Sequence, residues 1–363
     1  MTTRIWPRLP LAAALLVGFL WPTLSPACCP APPSGKPVVN ADQTVIIIWD
    51  PATKTEHFIR QASFTSEADD FGFLVPTPAQ PDLHEAGNEA FPLLRKLTEP
   101  EKLKVPRPSE GVGCACGTKA TSTFSDVATS VRVLEEKLVA GFNAVVLEAS
   151  SAGDLVEWLK EHGYAFSPEI EAWAKPYVDA GWKITALKVA KGKQDNTGNR
   201  VTASALRMTF KTDRPLFPYR EPDPKKSAEA LGVRKRLLRI YFIADQRYQG
   251  ELTKDAAWTG QVAWANKLAD DDRKKALELL KLTESAGPAQ WWLTEFEDDW
   301  PYKVAPADVY FSSDSNQDAI KRPPIVEYVS SPWPKDVTVY ALVGVVFLPA
   351  LLRRMRRARE ASA

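Results

Sequence analysis

The residues best suited to chemistry in this 363-residue chain are its four cysteines and three histidines. Cys28 and Cys29 are adjacent in "SPACCPAPPSG", and Cys114 and Cys116 stand one residue apart in "EGVGCACGTKA". Neighbouring cysteines bond to each other only with strain. An even set in an oxidising compartment therefore points to two bridges, each joining Cys28 or Cys29 to Cys114 or Cys116. Spacing does not say which takes which partner. Loops of this length, more than eighty residues, stabilise by about 4–5 kcal/mol in the chain-entropy picture. Four thiolates are also a zinc set, although C-C with C-x-C is not the usual pair of C-x₂-C knuckles. A C-x-C pair can do thiol redox chemistry, but no thioredoxin-like βαβ context surrounds this one.

The histidines are His57, His84 and His162. His57 falls on an expected strand, His84 at an expected helix start, and His162 beside the helix-ending Gly163. No two share the i, i+4 spacing of a helical metal pair, so surface or capping roles are the expectation. Two acidic clusters, Glu67/Asp69/Asp70 and Glu295/Glu297/Asp298/Asp299, offer carboxylate pairs for glycoside hydrolysis. That chemistry depends on a spatial separation the sequence does not give, and solvated faces are the simpler expectation. Asp314, Asn316 and Asp318 begin like a calcium loop, but Ala319 replaces the turn glycine and Ile325 the closing glutamate. Trp291, Trp292 and Trp300 are candidates for a surface that stacks sugar or peptide, with a core position as the alternative. The chain contains no G-x-S-x-G, H-E-x-x-H or phosphate-loop motif. Catalytic residues are thus unassigned, and no cofactor or metal is expected.

The elements that must position these residues alternate in type. "TVIIIWDPATKTEHFIRQASF" (residues 44–64) reads as two strands around a turn at Asp50-Pro51. A third extended segment follows over residues 69–83, leaving the sheet at Pro76 and Pro78. A helix is expected over Leu83 to Leu97. Strands over residues 127–139 and 143–149 flank Gly141. Ser151 with Asp154 resembles a capping box opening a helix to His162. Ser167-Pro168 opens another that ends near Gly181. "WKITALKVA" and "RVTASALRMTF" are expected to form a hairpin. "RLLRIYFIADQRY" is a strand, "DDDRKKALELLKL" an amphipathic helix, and "KVAPADVYFSS" a strand before a proline-rich stalk. Meandering strands with inserted helices make the fold class α+β, with antiparallel sheets in a single extracytoplasmic domain.

The two ends carry an address. Residues 1–27 read as a signal peptide: Arg4 and Arg8, then an apolar stretch, then Ser25 and Ala27 before a cut. Ser25 stands where a lipidation site usually has a bulky aliphatic residue, which disfavours a lipid on Cys28. Residues 28–302 form the domain and 303–336 a strand and stalk. The sixteen uncharged residues Val337 to Leu352 read as a transmembrane helix, about 24 Å long at about 1.5 Å per residue. Residues 353–363 form a tail whose five arginines mark the cytoplasmic side. Setting aside the two leader arginines and the tail's five arginines and one glutamate leaves 39 basic and 44 acidic residues. That balance argues against a nucleic-acid partner.

"GFNAVVLEASSAGDLVEWLKEHGY", "YVDAGWKITALKV" and "LRMTFKTDRPLFPYR", with "CCPAPPSG" and "DFGFLVPTP" nearer the start, resemble the bacterial domain of unknown function 2330 family. The resemblance runs from about Cys28 to Tyr310. It implies an exported bacterial protein, often with a C-terminal membrane helix, and brings no activity or catalytic residue with it. The function expected is a non-catalytic binding domain of the cell envelope, its partner an envelope protein or glycan and its tether to the lipid bilayer the C-terminal helix. A carboxylate-based envelope hydrolase is the alternative, and a thiol-redox or zinc protein the third.

Overall fold

The computed structural model describes residues 29–31, 38–40, 42–61, 63–66, 72–106, 132–164, 168–189, 195–197, 200–202, 205–222, 236–253, 255–300, 305–329 and 335–360. Hydrophobic patterning explains the largest sheet. "QTVIIIWD" alternates between two buried environments: Val45, Ile47 and Trp49 join one core cluster, while Ile46 and Ile48 join another. A strand buried on both faces must sit in the middle of a sheet covered on both sides, and this one does. The seven-stranded sheet runs β18 (Gln261–Lys267), β19 (Trp292–Asp298), β16 (Leu238–Ala244), β3 (Gln43–Asp50), β4 (Thr55–Gln61), β14 (Leu206–Lys211), β7 (Asp82–Glu85). Its pairs are antiparallel except β16 with β3.

A five-stranded antiparallel sheet runs β1 (Cys29–Ala31), β6 (Gly72–Thr77), β11 (Lys183–Val189), β10 (Phe142–Glu148), β9 (Arg132–Val139). The two sheets share a core of Phe58, Phe73, Phe142, Phe242 and Phe296, joined by a three-stranded sheet, β15 (Leu216–Phe217), β20 (Val309–Ser313) and β17 (Tyr248–Glu251). Helices cover the outer faces. Helix α2 (Ala152–Glu161) and α3 (Pro168–Asp179) bury Leu155, Trp158, Trp173 and Tyr177 with Leu74, Leu147 and Ile184 of the five-stranded sheet. Helix α1 (Ala90–Thr98) and α4 (Asp270–Leu279) bury Phe91, Leu94, Ala276 and Leu277 with Ile46, Ile48 and Ile59 of the seven-stranded one. Each buried large side chain contributes about 1.5–3 kcal/mol. Smaller pairings complete the mixed α+β fold: a ribbon of β12 (Asp195–Thr197), β13 (Arg200–Thr202), β5 (Ser63–Ser66) and β2 (Val38–Asn40), and a parallel pair of β21 (Ile325–Val329) with β8 (Lys102–Pro106).

Several expectations hold. Residues 44–61 form the strand pair around the turn at Asp50. The β9–β10 turn is built on Ala140 and Gly141, both at positive φ (53° and 83°), the geometry of a tight hairpin turn. The Ser151 hydroxyl accepts from the Asp154 N–H at 3.1 Å and so caps α2. Others are corrected. The helix expected from Leu83 starts only at Ala90, because Asp82 and His84 alternate with buried Leu83 in the two-residue period of a strand. Pro92 then sits in the first helical turn, where its missing N–H costs nothing. The segments expected as a hairpin, β11 and β14, lie in different sheets, since each supplies a row of apolar side chains to a different layer. Gly72–Thr77 likewise joins β11, not the strands of residues 44–61.

The C-terminal apolar run is helical, within α5 (Lys335–Glu360). Among the described residues no helix is long and apolar enough to cross a membrane. The transmembrane helix expected over Val337 to Leu352 is therefore unsupported as a span: the uncharged run fills sixteen of the helix's twenty-six positions, and five arginines follow it. Upstream, within 303–336, Ile320 bridges to Ala265 and Ile325–Val329 pairs with Lys102–Pro106.

Candidate functional site

The seven-stranded sheet changes character along the face that α1 and α4 cover. Strand side chains alternate between faces, so each strand reads separately here. β3 runs Ile46, Ile48, Asp50; β4 runs Ile59, His57, Thr55; β14 runs from Arg207 through Thr209 to Lys211; β7 runs His84, Asp82, with Ala86 just beyond its end. Register then lines up rows across the sheet. Ile48, His57, Thr209 and Asp82 are consecutive cross-strand partners, as are Ile46, Ile59, Arg207 and His84. Asp50, Thr55 and Lys211 complete a third row. The helices cover the apolar ends of these strands and leave the polar ends open. The loop after α4, residues 281–287, forms the other wall.

The result is an open cleft of about 430 Å³ that brings together His57, His84, Asp50, Asp82, Arg207 and Lys211. Gly287 closes one side at φ 77°, where a Cβ would stand 2.7 Å from Ile48 Cγ2; only glycine suits that conformation and that space. His57 Nδ1 and Thr209 Oγ1 share a hydrogen bond of 2.9 Å. Burial lowers the His57 pKa to about 4, assisted by Arg207 and Lys211 and opposed by Asp50, so the ring is neutral at pH 7. His84 Nε2 lies 2.8 Å from Asp82 Oδ2, an exposed pair. Asp50 accepts from the Ala52 N–H and the Thr53 hydroxyl and so holds its turn together. The Arg207 guanidinium donates from Nη1 to the carbonyls of Leu280 and Lys281, at 2.9 and 3.1 Å. Lys211 Nζ donates to the Thr53 carbonyl and the Thr55 hydroxyl, each at 2.7 Å.

The two histidines of the cleft divide the contacts of a proton relay between them. The histidine with a hydroxyl beside it, His57, has a neighbour pair of cations and a depressed pKa that makes it a weak base. The histidine with a carboxylate behind it, His84, has no hydroxyl or thiol bonded to it among the described residues. A hydrolytic triad needs those two contacts on one ring. Among the described residues no group of three or more His, Cys, Asp or Glu is placed to hold a metal ion.

The other sequence candidates are scattered. His162 ends α2 and stacks on Trp158, with ring centroids 3.8 Å apart. Trp291, Trp292 and Trp300 are 0, 6 and 2% exposed, so they are core residues and not a stacking surface. Trp300 lies under the Arg236 guanidinium at 3.8 Å, and Arg236 pairs with buried Glu221. The acidic cluster of β19 is divided between the two faces of its strand. Glu295 pairs with Arg239 and Arg322, and Glu297 pairs with the same two arginines. Asp298 accepts from Tyr219, Trp258 and Thr259. The calcium-like loop is occupied from within: Arg247 pairs with Asp314 at 3.0 Å, and Asp314 and Asn316 accept from loop N–H groups. Glu67, Asp69, Asp70, Cys28, Cys114 and Cys116 lie outside the described residues; Cys29 begins β1, opposite Leu74.

Sequence reasoning picked out both cleft histidines but missed Arg207, Lys211, Thr209 and the loop at residues 281–287. The detectable signal was the polar tail of each apolar alternation; assembling the tails needed the strand order β3-β4-β14-β7.

Compared with the curated proteins, the chain matches none. Among solved structures it is similar to the crystal structure of baculovirus P35, at 10% identity and a TM-score of 0.33, over 79% of this chain and 97% of that one. A likeness at that level carries no argument. Residues 23–312 match the model of a family described as an uncharacterized protein conserved in bacteria, DUF2330, and the chain belongs to that family.

Proposed function

We propose that the protein is a non-catalytic binding domain of the cell envelope whose ligand sits in the His57–Arg207 cleft, and whose C-terminal helix tethers it to a lipid bilayer. The observation that supports the cleft is the convergence of four strand ends and one loop on an open polar space of about 430 Å³, within the size range of ligand sites. The address rests on the sequence: a cleavable leader, a last helix with an apolar run, and a closing arginine cluster. The run is shorter than a hydrocarbon core of about 30 Å, so the tether relies on arginine side chains reaching to the headgroups or on local thinning of the bilayer.

The test is a titration of the full chain in detergent with saccharide and peptide fragments of the envelope, read from the three histidine ring signals by NMR. Ligands are expected to move the His57 and His84 signals and leave His162 in place. A bulky substitution at the exposed rim, Ser285→Trp, should abolish the response without moving the unfolding midpoint. Fragments that bind with His57 and His84 unmoved would place the ligand elsewhere. Fragments that are cleaved would promote the hydrolase reading, for which the His57–Thr209 contact at 2.9 Å is the favouring observation.

A further inference from the structure

We propose that the cleft floor between Arg207 and Lys211 is an oxyanion seat that takes a carboxylate or phosphate group carried on a saccharide. This rests on the cleft being the binding site and names the chemistry of its ligand.

Among the described residues neither Arg207 nor Lys211 has a carboxylate within ion-pair distance. Arg207 is 8% exposed, so its guanidinium has already lost most of its water. Two carbonyls hold one edge, Nη1, in place. Nε is buried and has no hydrogen-bond partner among the described residues. Burial lowers the Arg207 pKa, and Asp82, the charge that offsets this, is the one His84 engages. Lys211 donates only to neutral oxygens. Other exposed lysines differ: Lys281, in the cleft wall, pairs with Glu85, and Lys54, outside the cleft, with Asp213. Asp50 spends its oxygens on the turn beside it. Two cations on one strand, four residues apart, therefore flank Thr209 and His57, while Asp82, at the outer end of that row, is engaged by His84.

Position agrees with charge. Strand residues rise about 3.4 Å each, so Arg207 and Lys211 lie on one face with Thr209 midway and His57 opposite it. When the Thr209 hydroxyl donates to Nδ1, the neutral His57 ring carries its proton on Nε2, an additional donor for an anion. With Nη1 held by two carbonyls and Nε buried, Nη2 is the nitrogen left to donate to an oxyanion. Thr53, Thr55, Thr283 and Ser285 line the same cleft. Those hydroxyls match the hydroxyls of a sugar, whereas a peptide added as a strand would need a free sheet edge. The outer strand β7 offers little of one, because Lys137 Nζ caps its Leu83 carbonyl at 2.6 Å.

The experiment titrates the detergent-solubilised full chain with glucuronate, glucose 6-phosphate and neutral glucose at fixed ionic strength, again following the histidine ring signals. The two charged sugars should saturate shifts at His57 and His84 at concentrations at least tenfold below glucose, with the tighter of the two identifying the group. Lys211→Gln, at an exposed position, should weaken them at least fivefold, and Arg207→Gln more. Lys54→Gln, which removes the same charge outside the cleft, should change binding less than twofold. Equal binding of glucose and glucuronate would overturn the oxyanion seat and leave the cleft reading standing. So would tighter binding of an acidic tripeptide than of either charged sugar. An equal loss in Lys54→Gln would mark the effect as general attraction and overturn the seat. If no ligand of any charge moves His57, the seat and the cleft reading fall together.

Discussion

His57 is a histidine between two cations, and its titration reports on the whole cleft. Its midpoint is expected at about 4 in a pH series of ring NMR signals. It should rise in Lys211→Gln, because Lys211 lowers it. The folded value lies below the ordinary 6.5, so the unfolded chain takes up this proton first. Stability from His57 is fully present above pH 6.5 and lost as pH falls toward 4, by about 2 kcal/mol after allowing for solvent screening. His57→Gln should flatten that part of the pH–stability curve; an unchanged slope would show that the ring is freely solvated. Glu56, one residue away on the opposite face, has the reverse sign. It is fully buried; among the described residues its Oε2 accepts from the Leu216 N–H and Oε1 has no partner, and burial raises its pKa well above 4.5. The folded state keeps a proton that the unfolded state gives up, so stability falls as pH rises from 4.5. Glu56→Gln should stabilise by about 1 kcal/mol or more at pH 8 and have no effect at pH 4, measured by urea unfolding at both. Neither effect was legible in the sequence, where "TEHFIRQ" shows an ordinary alternation and not which polar residue lands between layers.

The elements with strong local codes were legible. "VIIIW" fixes β3 by composition, Ser151 fixes the start of α2, and Gly141 and Gly163 stop what precedes them at positive φ. Elements whose code is split between periods were not. Residues 82–98 mix a four-residue alternation with a helical apolar pattern, and the boundary between them is set by tertiary packing at Gly87. A Cβ there would stand 2.1 Å from the Leu279 carbonyl oxygen at the end of α4. Gly87→Ala is therefore expected to cost about 2 kcal/mol by forcing α4 away from the β7–α1 connection. Because the loop after α4 walls the cleft, ligand affinity should fall with it, whereas a change in stability alone would show that the loop adjusts independently. Partnership between strands was the other gap: β11 and β14 look like a hairpin because they are near in sequence, and their assignment to different layers depends on contacts with residues more than a hundred positions away, such as Phe73 and Phe58.

For the whole molecule, the α+β class followed from the alternation of strand-like and helix-like segments. The layered stacking of two helix-covered sheets did not, because which apolar rows face each other is not written along the chain. Localisation belongs to this scale as well. The full chain should sediment with membranes and resist an alkaline wash, while a chain ending at residue 334 should be released; release of both would remove the tether. The parallel pair of β21 with β8 adds a mechanical consequence. Ile325–Val329 is the last strand before α5, and its five paired positions join it to a segment more than two hundred residues earlier. Any pull on α5 reaches the domain through that strand. Drawn lengthwise, its rungs carry load together in shear, and behind them Arg322 holds on to Glu295 and Glu297. Rupture under tension is governed by the unfolding rate, so with the far end held by a membrane this small sheet would take the strain before the sheet that carries the cleft.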